Sequence, residues 1–110
     1  MINFAIVGCG FIAKKHYDAL ENVEGANLVA LCDTDPSRMQ PFFDLNPNLK
    51  LYTDYNELIK DPDVDVISIC TPSGTHAELA ILGANAKKHI LVEKPIALEV
   101  KEAKEIIDAC

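Results

Sequence analysis

The chain has 110 residues, 49% hydrophobic and 25% charged, which suits one domain with a real core and argues against disorder. Ten Lys and Arg against 17 Asp and Glu give a net charge of −7, a poor basis for binding a phosphate backbone, which relies on basic patches. The longest apolar stretch, residues 4–13, is broken by Gly8 and Gly10 and falls short of the ~20 residues of a membrane span. No basic segment precedes it, so it does not read as a signal peptide. A cytoplasmic protein with no nucleic-acid and no membrane partner is expected.

Residues 2–7 (INFAIV) are mostly apolar and rich in β-branched and aromatic side chains, the pattern of a strand buried on both faces. Two glycines follow. Ile12, His16, Ala19, Leu20 and Val23 then recur at helical spacing, predicting a helix over 11–23 with Gly25 as its stop. Residues 26–32 (ANLVALC) read as a second strand. Asp35-Pro36 supplies an N-cap and a proline for the first helical position. Pro41 and Pro47 are expected to limit that helix. A short strand over 50–53, a short helix over 54–60 and a turn at Asp61-Pro62-Asp63 come next. Residues 64–70 (VDVISIC) predict a fourth strand, 75–86 a helix with Ala77, Ala80, Ile81 and Ala84 on one face, and 89–92 a fifth strand. A last helix is expected from Leu98, with Val100, Ala103, Ile107 and Cys110 at helical spacing.

Strands alternating with helices imply a parallel sheet covered on both faces. Right-handed crossovers make it a doubly wound α/β (Rossmann) domain, five strands in order 3-2-1-4-5. The chain closes in or just after a helix whose partner strand does not follow. Residues 1–110 are therefore expected to be a fragment, or a truncated product, of a longer chain. The four cysteines, at 9, 32, 70 and 110, form no C-x-x-C pair. They read as buried free thiols rather than a disulfide framework, and no metal site is expected.

Four segments carry chemistry. Gly8-Cys9-Gly10-Phe11-Ile12-Ala13 lies between the first strand and the first helix, the context that gives a G-x-G-x-x-A pattern meaning. Gly8 permits a sharp turn, Gly10 lets a pyrophosphate approach the backbone, and Ala13 allows close helix–strand packing. The helix N-terminus then offers its free N–H groups to phosphate. Asp33 ends the second strand 23 residues after Gly10, near the ~20 expected of an acid that accepts hydrogen bonds from the adenosine ribose. Its charge would repel a 2′-phosphate, favouring NAD over NADP. Asp35 could take its place if the strand ended later, but suits the cap better, and Arg38 could accommodate a 2′-phosphate. Thr71-Pro72-Ser73-Gly74-Thr75-His76 leaves the fourth strand at the topological switch point. Glu93-Lys94-Pro95 ends the fifth strand; taken alone it reads as a solvated ion pair. His16 and His89 read as ordinary helix-face and strand-edge residues.

GCGFIA, LCDTDP, TPSGTHAE and VEKPIAL, in that order along the chain, resemble the signatures of the N-terminal domain of the Gfo/Idh/MocA family (glucose–fructose oxidoreductase, inositol dehydrogenase, rhizopine catabolism). The resemblance implies NAD(P)-dependent dehydrogenation at a CH–OH group of a sugar, nucleotide-sugar or cyclitol. By that resemblance Gly8, Gly10, Phe11 and Ile12 match the dinucleotide phosphate loop and Asp33 the ribose acid. Thr71, Pro72 and His76 match the loop lining the nicotinamide half, Glu93 a contact to the nicotinamide ribose, and Lys94 the active-site lysine. A cis peptide is expected before Pro95. TPSGTHAE followed by EKPIAL looks most like enzymes of nucleotide-linked sugars, such as UDP-N-acetylglucosamine or UDP-N-acetylglucosaminuronate 3-dehydrogenases. The family's larger second domain supplies substrate contacts, a catalytic histidine and much of a homo-oligomer interface. The 110-residue chain alone is thus expected to be inactive. Two rival readings stand beside this one. A non-catalytic NAD-binding redox-sensing module would leave Lys94 without a task, and a Rossmann-like site for coenzyme A or another nucleotide fits poorly with Asp33.

Overall fold

The fold is described from a computed structural model, for residues 2–71 and 76–92. Five strands, β1 (Ile2–Val7), β2 (Ala26–Cys32), β3 (Lys50–Tyr52), β4 (Val66–Ile69) and β5 (His89–Val92), form one sheet. Every pairing is parallel, in the order β3-β2-β1-β4-β5. Helices α1 (Phe11–Glu21), α2 (Pro36–Leu45), α3 (Tyr55–Leu58) and α4 (His76–Asn85) connect them. The doubly wound α/β class and strand order read from the sequence both hold. The last predicted helix lies outside the described residues.

Two cores sandwich the sheet. Ala5, Val7, Ala30, Cys32, Ile67 and Ile69 face Leu58 of α3 and Ala80 of α4. On the other face Ile6, Leu28 and Leu31 meet Ala13 and Tyr17 of α1 and Met39 and Phe42 of α2. Burial on both faces is why these strands read as nearly continuous apolar runs. One irregularity breaks the alternation. Phe4 pairs with Leu28 but Ala5 pairs with Ala30, so Val29 is skipped. Val29 and Ala30 consequently both serve the α3/α4 side, a bulge that resets the faces of β2.

Helix α1 is two residues shorter than its periodicity predicts. Asn22 and Val23 donate backbone N–H to Ala19 and Leu20 at 3.2 and 3.3 Å, i→i−3 bonds that tighten and end the helix. Gly25, at φ +88°, turns the chain into β2. Helix α2 corrects the expectation that Pro41 limits it, for it runs on to Leu45. An interior proline costs ~3 kcal/mol. Met39 and Phe42, one before and one after it, are both buried, and the Phe42 ring lies 5.5 Å from that of Tyr17. Burial of this kind yields roughly 1.5–3 kcal/mol per large side chain and carries the helix past the proline. Strand β4 is shorter than the run 64–70 at its start because Val64 N–H closes the Asp61 turn at 3.2 Å.

Candidate cofactor site

The C-terminal ends of β2, β1 and β4 lie side by side, so their loops converge. Gly8 is their meeting point. Its N–H donates to the Cys32 carbonyl at 2.8 Å, and Cys70 N–H donates to the Val7 carbonyl at 2.8 Å. Gly8 has φ +86°, and a Cβ there would stand 2.8 Å from the Thr71 nitrogen and 2.9 Å from the Cys70 carbonyl carbon. Both the left-handed backbone and the close approach of the β4 exit demand glycine. Gly10 differs. Among the described residues, a Cβ on it would meet nothing within 4 Å, so on their side the space over its Cα is open to a ligand. Gly10 occupies the N-cap of α1, makes no side-chain cap hydrogen bond, and no acidic residue follows in the first turn. Among the described residues no cap or acid compensates the first N–H groups or the positive dipole end of the helix, the donor set that suits a phosphate. The residues present fit a dinucleotide's diphosphate.

Asp33 stands beside this loop. Its Oδ2 accepts from Cys9 N–H at 2.9 Å and its Oδ1 from Asp35 N–H at 2.9 Å, while its own N–H donates to the Tyr52 carbonyl at 3.1 Å. One backbone donor on each oxygen orients the carboxylate and leaves the remaining lone pairs for further donors, such as a ribose diol. Asp35 is the N-cap of α2, accepting from Ser37 N–H, the capping role that its place before Pro36 suggests.

Gly8, Gly10, Asp33 and Thr71 are thus brought to one edge of the sheet. Phe11 and Ile12 open α1 and His76 opens α4, but the side chains of these three lie outside the described residues. So do Pro72, Glu93, Lys94 and the predicted cis bond before Pro95. Beneath the loop, Cys9 and Cys32 are buried free thiols, and Cys70 is half-buried. Burial, then the Asp33 charge, pushes the thiols of both Cys9 and Cys32 up to about 12.

One contact escapes the sequence reading. His16, read as a plain helix-face residue, shares a hydrogen bond between its Nδ1 and the Oγ of Ser68. Ser68 is 1% exposed on β4, with its Oγ 3.9 Å from Cys70 Sγ. The pair ties α1 to the strand that feeds Thr71. Two polar residues in apolar settings, His16 on a core-facing stripe and Ser68 inside VISIC, were the available signal, since buried polar groups need partners.

A parallel 3-2-1-4-5 sheet, a glycine loop opening a helix and an acid at the end of β2 define a dinucleotide-binding Rossmann domain. The chain belongs to the Gfo/Idh/MocA oxidoreductase family with an NAD-binding Rossmann fold, whose sequence model matches residues 2–110. It is 34% identical over 107 residues to a myo-inositol 2-dehydrogenase of Thermotoga maritima, covering 97% of this chain and 32% of that protein. It is 38% identical over 106 residues to an inositol 2-dehydrogenase of Salmonella typhimurium, covering 94% and 32%. Among solved structures, the WlbA dehydrogenase of Chromobacterium violaceum in complex with NADH and UDP-GlcNAcA superposes with a TM-score of 0.92 at 32% identity, covering 98% of this chain and 31% of that one. The chain spans about a third of the length of these relatives. Among the described residues no helix is long and apolar enough to cross a membrane.

Proposed function

We propose that this chain is the cofactor half of a cytoplasmic dehydrogenase that transfers a hydride between NAD and a hydroxyl-bearing carbon of a sugar, nucleotide-sugar or cyclitol. The observation that carries the reading is Asp33, held by both carboxylate oxygens beside a glycine loop whose Gly10 is open on the side of the described residues. Gly8, Gly10, Phe11 and Ile12 present the phosphate loop, and Asp33 accepts the adenosine ribose hydroxyls. Thr71, Pro72 and His76 line the nicotinamide half, Glu93 meets its ribose, and Lys94 polarises the reacting oxygen or relays its proton. When bound, the nicotinamide supplies the hydride acceptor or donor. A second domain completes the site with substrate contacts and the base that takes the hydroxyl proton, and gives the whole protein its homo-oligomer interface. The activities named for the inositol dehydrogenases, and the UDP-GlcNAcA held by the WlbA enzyme, support this substrate range.

Calorimetric titration of the chain with NAD, and separately with NADP, tests the cofactor half. Saturable NAD binding, weaker for NADP and weakened at least tenfold by Asp33→Ala, is the expected result. A folded chain that binds neither would refute it. In the full-length enzyme, Lys94→Ala should cut kcat strongly while NAD affinity stays within a few-fold; unchanged turnover would remove Lys94 from the mechanism.

A further inference from the structure

We propose that Asp35 is a second determinant of cofactor choice, holding Arg38 away from a 2′-phosphate and adding its own charge to that of Asp33. The inference rests on the NAD reading of the site. Asp33 and Asp35 are joined through one turn, since the Asp35 N–H donates to Asp33 Oδ1 at 2.9 Å. The Asp35 carboxylate accepts from the Ser37 N–H at 3.0 Å and from the Ser37 hydroxyl at 2.7 Å. Those bonds hold its carboxyl below the ordinary 3.8, so the residue is an anion at neutral pH. Its other oxygen lies 3.9 Å from Arg38 Nε. Arg38 is the chain's one arginine, and among the described residues Lys50 is engaged elsewhere, with Asp61 and Asp63. The Arg38 and Asp35 side chains are 62% and 55% exposed, so the pair is weak by itself and the guanidinium is free to swing to a stronger anion once Asp35 is neutral.

The consequence concerns the difference between the two cofactors. A 2′-phosphate is a doubly charged acceptor that an arginine grips through two parallel N–H bonds. Asp33 repels it from the ribose side. Neutralising Asp33 alone leaves a second carboxylate within one turn, still pairing with the guanidinium the phosphate would need. Neutralising both removes the repulsion and releases the arginine together.

The test uses Asp33→Asn, Asp35→Asn, the double variant, and the double variant with Arg38→Ala, titrated calorimetrically with NAD and NADP. Asparagine is a good N-cap, so helix α2 keeps its start, and circular dichroism of each variant checks this. The double variant should bind NADP about tenfold more tightly than Asp33→Asn does, the size of effect one charge removed from close range produces. Its NAD affinity should match that of Asp33→Asn. Adding Arg38→Ala should abolish the gain. The proposal is overturned if Asp33→Asn gains NADP affinity as fully as the double variant, or if Arg38→Ala leaves the gain intact. Failure of the wild-type chain to bind NAD would overturn the NAD reading and this inference with it.

Discussion

A single methyl group distinguishes the two glycines of the loop. On Gly8 it would press on the backbone of Thr71 at 2.8 Å, at a φ of +86°; on Gly10 it would touch none of the described residues within 4 Å. Gly8→Ala should therefore cost at least about 2 kcal/mol of stability, combining backbone strain with overpacking, seen as a lowered urea midpoint. Gly10→Ala should leave that midpoint nearly unchanged and weaken NAD binding, because its methyl would occupy space that the diphosphate needs. A Gly10→Ala variant that bound NAD normally would put the diphosphate elsewhere. Cys9 and Cys32 illustrate the reverse relation between sequence and environment. Thiols pushed to about 12 by burial and by the Asp33 charge are thiolate at roughly one part in ten thousand at pH 8. Iodoacetamide should leave both unmodified in the native chain and alkylate them in urea, as peptide mass mapping would show.

At the scale of elements, the periodicity of the sequence located every described helix and strand, and its errors have local causes. Pro41 lies inside α2 because Met39 and Phe42 are buried on either side of it, a tertiary gain that no window of sequence reports. The turn before β4 also holds more than its Asp-Pro-Asp signature suggests. Asp61 is 5% exposed. It accepts from the Tyr52 hydroxyl at 2.8 Å, from Asp63 N–H at 2.9 Å and from Lys50 Nζ at 3.2 Å, and Lys88 Nζ donates to its carbonyl at 2.7 Å. Burial disfavours the charged carboxylate, but these donors outweigh it and hold the carboxyl below 3.8. A depressed folded value means that Asp61 contributes stability above the unfolded value and loses it as pH falls through the folded one. Thermal melts of wild type and Asp61→Asn should differ most at pH 6, and the gap should shrink below about pH 4. A gap independent of pH would mean that the carboxylate's charge is not what stabilises the turn.

The whole molecule has a radius of gyration of 13.1 Å, as a chain of this length folded into a single domain requires. A ligand that binds only the folded state raises its stability by about 2.7 kcal/mol at one hundred times Kd. For a domain of this size each kcal/mol moves the midpoint by roughly 4–8 °C. NAD at that concentration should therefore raise the Tm of the wild-type chain by about ten degrees or more. Asp33→Ala at the same NAD concentration should recover only part of the shift, and Gly10→Ala little of it. Equal shifts in all three would separate stabilisation from the proposed site.

What the sequence determined by itself is what short-range pattern can encode. Apolar runs of strand length, helical spacing between them, two glycines after the first strand, an acid after the second and a cap before Pro36 were enough to specify the parallel doubly wound sheet, its order, and the edge that gathers Gly8, Gly10 and Asp33. Contacts between residues far apart in the chain were decided only by the tertiary structure. Register places Thr71 on Gly8, Ser68 beneath His16 and Tyr52 against Asp61, and a skipped pairing at Val29 sets which side chains of β2 face which helices. Periodicity reports which face of an element is apolar. It does not report which residue of another element lies opposite, because that depends on strand order, register and bulges summed over the whole sheet.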